Sequence, residues 1–207
     1  TLPYQETGYF SKLICDYLVE KPELKAFYNR FPKLENFEKQ LNEKNKSFDN
    51  ASRALLVDSL QKQYEGISVS KASQNNIDSL LLSNTFTITT GHQLNLFTGP
   101  LYFLYKIFSV INLSETLNKR HSGNHFVPVY WMATEDHDFE EINYFNLFGK
   151  KIEWDIQASG AVGELKTEGL EEILSELKNK IGESENAQKL SALFSEAYLK
   201  HNNLADA

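Results

Sequence analysis

TFTITTGHQLNLFTGPLYFLYKIFSVINLSETLNKRHSGNHFVPVYWMATEDHDFEE, residues 85–141, reads as strand, polar loop, long helix, strand and acidic loop. In Thr85 to Thr90, Phe86 and Ile88 alternate with threonines, and β-branched residues suit a pleated surface. The pattern stops at Gly91, and the loop Gly91-His92-Gln93-Leu94-Asn95-Leu96-Phe97-Thr98-Gly99 runs into Pro100. Proline favours the first helical position because its missing N–H has no intrahelical partner there, so a helix is predicted from about Pro100 to Lys119. Its apolar residues, among them Leu101, Phe103, Leu104, Ile107, Phe108 and Val110, cover most sides and call for burial against a sheet and a second layer. Tyr102, Lys106 and Ser109 form the remaining polar stripe. After the turn His121–Asn124, the apolar run Phe126 to Met132 fits a buried parallel strand, with Pro128 arguing for its start or an edge. Strand, helix and strand make a right-handed βαβ unit, and the fold class is α/β with a parallel sheet.

That arrangement places a candidate site. Ligands of open α/β sheets bind beyond the carboxyl ends of the strands, where both polar loops begin. The helix N-terminus supplies N–H groups and a partial positive charge, so Phe97 to Leu101 could hold a phosphate or carboxylate. Opposite stands Thr134-Glu135-Asp136-His137-Asp138, whose ionisable groups must face solvent or a polar ligand. A plainer reading makes this an N-cap cluster leading into Phe139 to Tyr144, and both readings can hold together. Lys106 has a plain reading too, as a side chain snorkelling along a buried helix.

Composition bounds the rest. The 207 residues are 41% hydrophobic and 24% charged, as expected of a soluble globular protein with one good core. A net charge of -7 and a pI near 5.3, with no basic stripe, speak against nucleic acid. No run approaches the length of a membrane span, and no signal peptide is evident at this end, so no membrane partner is expected. The single cysteine, Cys15, excludes an internal disulfide and fits the reducing cytoplasm. It shares an apolar helical face with Phe10, Leu13, Ile14 and Tyr17, which makes it a packing residue rather than a nucleophile.

Residues 1–84 read as short helices separated by Pro22 and Pro32, a helical layer for the core. Residues 85–157 hold the βαβ core and candidate site, ending in a strand pair that turns at Gly149, with Trp154 as anchor. Residues 158–207 are a connecting segment, with a short strand expected in Ala158 to Lys166, followed by amphipathic helices at about Leu170–Ile181 and Glu185–His201. No G-x-G-x-x-G follows the first strand, and no G-x-x-x-x-G-K-[ST] exists. Zinc spacing is also missing around His92, Asp136, His137 and Asp138. Magnesium carried by one or two carboxylates and a nucleotide is compatible with the residues.

TTGHQLNLFTGPLYFLYK and PVYWMATEDHDFEEIN resemble the signature of the bacillithiol-synthesis cysteine-adding enzymes, the cysteine ligases called BshC. The likeness extends from Gly8-Tyr9-Phe10 to His201-Asn202-Asn203-Leu204. It implies a partial Rossmann-like core in an amino-terminal portion of a longer cytoplasmic ligase. The longer family members carry a helical hairpin, a coiled coil, that would make a homodimer. It implies a reaction too: the carboxyl of cysteine joined to the amine of glucosaminyl malate, both small molecules. Related synthetases activate the carboxylate with ATP and place histidines after the first strand. Here Gly91-His92-Gln93 and Asn95 bring no second histidine, so ATP with Mg2+ remains a candidate cofactor only.

On this reading Asp136 or Asp138 holds an ammonium group, and His137 or an acid accepts the proton that frees the amine. Gln93 and the Phe97–Leu101 backbone, including Thr98 and Gly99, bind phosphate or carboxylate, with His92 a polar partner. Lys106 adds positive charge, and Gly91, Asn95, Tyr102 and Glu135 complete the expected lining. Two alternatives stand beside it: a nucleotidyltransferase-like adenylating enzyme for another small carboxylate, and a non-catalytic α/β binding module.

Overall fold

The computed structural model describes residues 2–207 and divides the chain into two compact units, with the boundary between Leu56 and Val57. The first unit is helical. It contains α1 (Tyr4–Thr7), α2 (Lys12–Leu18), two 3-10 turns (Pro22–Phe27 and Leu34–Asn36), α3 (Phe37–Ser47) and the start of α4 (Asn50–Gln63). Ser11 begins α2 by accepting the Ile14 N–H with its side chain. Pro22 cannot continue that helix and opens the 3-10 turn instead. Tyr17, Tyr28 and Phe31 pack as a tilted and edge-to-face aromatic trio, and Cys15 is buried. Asp16, bonded by Lys12 and then Lys21, is held below the usual carboxylate range.

The second unit carries the βαβ motif. After α5 (Lys71–Ser79), β1 (Thr85–Gln93) leads through a 3-10 turn at Leu96–Thr98 into α6 (Leu101–Arg120), and the chain returns as β2 (His125–Ala133). The strands pair in parallel, from Thr85 opposite His125 to Gln93 opposite Ala133. β1 therefore runs three residues past the expected Thr90, because Gly91, His92 and Gln93 still pair with Trp131, Met132 and Ala133. Pro100 is the N-cap of α6, with an extended backbone (φ -69°, ψ 150°), so the first helical residue is Leu101. Asn118 fastens α6 to the start of β2: its side chain accepts the Phe126 N–H (2.9 Å) and donates to the Phe126 carbonyl (3.0 Å).

The second layer called for by the apolar pattern of α6 is not supplied within the second unit. Val110, Ser114 and Leu117 are buried, whereas Leu101, Tyr105 and Phe108 are 65%, 64% and 55% exposed. Trp131 on β2 is 61% exposed. The sheet holds two strands, and a parallel pair is normally covered on both faces.

Beyond β2 come the short α7 (Phe139–Ile142) and an antiparallel hairpin, β3 (Tyr144–Leu147) and β4 (Lys150–Glu153), turning at Phe148-Gly149 as expected. The stretch Ala158 to Lys166 forms no strand. It makes a 3-10 turn at Val162–Glu164 and one bridge, Lys166 to Asn203, because its glycines favour turns over ladders. α8 (Leu170–Ile181) and α9 (Glu185–Leu199) follow. Leu170, Leu174 and Leu177 of α8, spaced to share one face, join Trp154, Ile142, Leu96, Phe97 and Tyr198 in the main core. Trp154 is 1% exposed, and its indole N–H donates to the Glu168 carbonyl at 3.0 Å, so the large ring is buried with its polar atom satisfied.

Candidate functional site

β1 and β2 end side by side at Gln93 and Ala133, so the loops that follow both start from one rim. At that rim β1 supplies His92, whose ring is fixed from several sides. Its Nε2 lies 3.0 Å from the Tyr102 hydroxyl on α6, and its Nδ1 lies 3.0 Å from both the Gln93 carbonyl oxygen and Asn95 Nδ2. Phe103 meets the ring edge-on, with centroids 5.6 Å apart. The Tyr130 hydroxyl of β2 donates to the His92 carbonyl at 3.2 Å, and burial pushes that phenol's pKa up. Lys106, one turn beyond Tyr102, donates to the Gly91 carbonyl at 3.0 Å and lies 5.8 Å from the Tyr102 ring centroid.

Gly99 makes this packing feasible. Its backbone (φ 55°, ψ -150°) lies in a region used almost only by glycine. A Cβ there would stand 2.5 Å from Asn95 Cβ and 2.9 Å from Asn95 Oδ1. The missing side chain is thus the space in which Asn95 sits.

Gln93 connects this group to the acidic loop. Its carbonyl accepts from Asn95 Nδ2 at 3.1 Å, while its own Nε2 donates to Glu141 Oε2 on α7 at 3.0 Å. Asp136 Oδ1 accepts the Asp138 N–H at 3.0 Å. That backbone bond, and next the hydrogen bond from the Gln93 side chain, hold the Asp136 carboxyl below its ordinary range against a smaller opposing effect of burial. The loop's backbone is clamped from the glycine-rich segment: Val162 N–H donates to the Asp136 carbonyl at 2.7 Å and Gly163 N–H to the Thr134 carbonyl at 2.9 Å. A Cβ on Gly163 would lie 2.6 Å from Thr134 Cβ, which explains glycine there.

The structure thus joins Gly91, His92, Gln93, Asn95, Gly99, Tyr102 and Lys106 in one contiguous group, and Gln93, Asp136 and the Asp138 backbone in a second that shares Gln93 with the first. Other expected residues are used differently. Phe97 turns inward: its ring packs on Phe145, Phe194 and Tyr198, and its N–H donates to the Tyr198 hydroxyl at 3.0 Å. The Gly99 N–H donates to the Leu96 carbonyl. Neither N–H is therefore available to a phosphate, and of the expected cradle there remains the first turn of α6, which no side chain caps. Thr98, Glu135, His137 and Asp138 are exposed. Asp138 is the N-cap residue of α7 but makes no side-chain cap bond, so the plain capping reading holds in position only. Glu141, Tyr130 and Gly163 were not singled out by the sequence, since each acts through a partner remote along the chain. Among the described residues, no three His, Cys, Asp or Glu side chains converge to hold a metal ion, and no helix is long and apolar enough to cross a membrane.

Comparison with known proteins gives a consistent family. Residues 1–207 match the family described as bacillithiol biosynthesis BshC, N-terminal Rossmann-like domain. The chain is 60% identical over 206 residues to a protein of Flavobacterium johnsoniae named "Putative cysteine ligase BshC", covering all of this chain and 39% of that protein. Proteins of the same name from Christiangramia forsetii and Cytophaga hutchinsonii are 54% and 42% identical, with 100% and 95% of this chain and 39% and 37% of theirs covered. The chain spans about two fifths of the length of these curated relatives.

Proposed function

The chain belongs to the BshC family as its N-terminal Rossmann-like domain, and from that premise we propose that the protein of which it is the domain is a cysteine ligase. It would join the cysteine carboxyl to the amine of glucosaminyl malate and make an amide. The observation that carries this reading is the acidic loop at the rim of the parallel strands. Asp136 is kept ionised by the Asp138 N–H and the Gln93 side chain, which suits it to hold the ammonium of an incoming amine. A carboxylate stabilised in that way is a good ion partner and a weak base. Across the rim, the first turn of α6 and Lys106 offer positive charge to a carboxylate or phosphate. Amide formation from a free carboxylate requires activation, and ATP with Mg2+ is the candidate for that step. Cytoplasmic location and a homodimer of the longer protein belong to the same proposal.

The test uses the intact protein with cysteine and glucosaminyl malate, with and without Mg-ATP, and mass spectrometry for the condensed thiol. The conjugate is expected with wild type, and Asp136→Asn is expected to lower its rate about tenfold or more, the loss of one charge-assisted contact. No conjugate under either condition, with substrates verified, refutes the ligase reading. Pyrophosphate released without conjugate points to an adenylating enzyme for another carboxylate.

A further inference from the structure

The ligase reading leaves the proton of the amine without a convincing acceptor. Amide formation needs a free amine, and the acidic loop's best-placed carboxylate is held ionised and so binds protons weakly. The group around His92 is built differently. His92 Nδ1, Asn95 Nδ2 and the Gln93 carbonyl oxygen form a nearly equilateral triangle with sides of 3.0, 3.0 and 3.1 Å, so about 60° at each corner. That triangle admits two arrangements of the ring proton. If Asn95 donated to both the ring nitrogen and the carbonyl, its two N–H bonds, about 120° apart, would each miss their acceptor direction by about 30°. If the ring nitrogen and Asn95 both donate to Gln93 O, the carbonyl accepts over a broad range of directions, and His92 Nδ1 and Asn95 Nδ2 stand 3.0 Å apart as two donors. This second arrangement puts the ring proton on Nδ1, pointing at a backbone carbonyl, and leaves a lone pair on Nε2. The atom facing that lone pair, 3.0 Å away, is the Tyr102 hydroxyl, which then donates to it. Tyr102 stands on the first turn of α6 and is 54% exposed.

We propose that His92 carries its ring proton on Nδ1 and that Tyr102 and His92 form a proton relay that receives the proton of the incoming ammonium. The inference rests on the ligase reading for its substrate. In the step, one N–H bond of the ammonium breaks and an O–H bond forms at Tyr102. The former Tyr102 O–H bond breaks and an N–H bond forms at His92 Nε2. The amine keeps its electron pair, and the imidazole leaves the step as a cation with its Nδ1–H on the Gln93 carbonyl. Tyr102 is the catalytic residue of the relay, since it meets the substrate. Asn95 is a positioning residue that fixes the carbonyl, and Gly99 gives it room. The other groups facing the pair are Lys106, which lies over the Tyr102 ring, the edge of Phe103, and Tyr130, which is bonded to the His92 carbonyl.

The first measurement is the nitrogen chemical shifts of His92 in the intact protein with isotope-labelled histidine, at mildly alkaline pH and assigned by subtraction with His92→Gln. A ring protonated at Nδ1 and bare at Nε2 is expected. Tyr102→Phe, which keeps the ring and its packing, is expected to lower kcat about a hundredfold while KM changes less than about threefold. Raising the pH should restore much of that loss, because the amine then deprotonates in solution. His92→Gln should behave alike. A ring protonated at Nε2 overturns the relay. So does a Tyr102→Phe enzyme with kcat within about threefold of wild type, or a loss of equal size at every pH. The spectrum needs no turnover, so a protein that makes no conjugate refutes the ligase reading while the tautomer result is still read.

Discussion

Substituting alanine for Gly99 tests how the rim is built. Gly99 has φ 55° and ψ -150°, and holding an L-residue in such a region costs about 1–3 kcal/mol. The new methyl would also fall 2.5 Å from Asn95 Cβ and 2.7 Å from Asn95 Cγ, well inside contact distance, and these atoms are too close to their own backbone to swing clear. Overpacking of this kind adds about 1–3 kcal/mol. A total of about 2–4 kcal/mol is expected once the loop relaxes, and at about 3 °C per kcal/mol the midpoint falls by about 6–12 °C. Calorimetry of the intact protein reads this in the transition that contains the domain. The partner substitution Asn95→Gly removes the atoms that clash, so in the double variant Gly99→Ala should cost only its backbone strain, and the difference between the two costs measures the overlap. A Gly99→Ala midpoint within about 2 °C of wild type, or an equal cost in both backgrounds, would refute the packing argument.

Two further outcomes follow from the core and the loop. Tyr198→Phe removes the hydroxyl that accepts the buried Phe97 N–H, and an unsatisfied buried donor costs about 1–3 kcal/mol; urea unfolding checks it, and a change below about 0.5 kcal/mol would mean that the N–H finds another partner. The pH dependence of stability reports Asp136. Its folded pKa is lowered from 3.8, so the stabilisation is present above that value and is lost as pH falls through the lower folded value. The midpoint advantage of wild type over Asp136→Asn should therefore be level near neutrality and shrink on acidification, and a gap that widens in acid would contradict it.

The local pattern carried the βαβ core. The alternation at Phe86 and Ile88, the glycine and proline around the loop, and the apolar run at Phe126 each report on neighbours within a few residues, and the parallel pairing of β1 with β2 follows from them. The hairpin around Gly149 was legible for the same reason. The family was legible too, because its two long motifs lie in this core. The pattern of α6 asked for more cover than the second unit itself provides, since Leu101, Tyr105 and Phe108 are exposed.

What only tertiary structure decided is which polar atoms each candidate residue uses. Phe97 sat in an expected anion cradle, yet its N–H belongs to Tyr198, 101 residues away. Gln93 pairs with Glu141 across 48 residues, and Val162 and Gly163 clamp a loop that precedes them by a hairpin. Tyr102 was an expected ligand contact, and its bond to His92 fell out of the crossover geometry that lays the start of α6 against the end of β1. Periodicity encodes which face of an element is buried, because burial repeats with the helical or strand period. A hydrogen bond between remote segments has no period, so its partners become known only when the chain is folded.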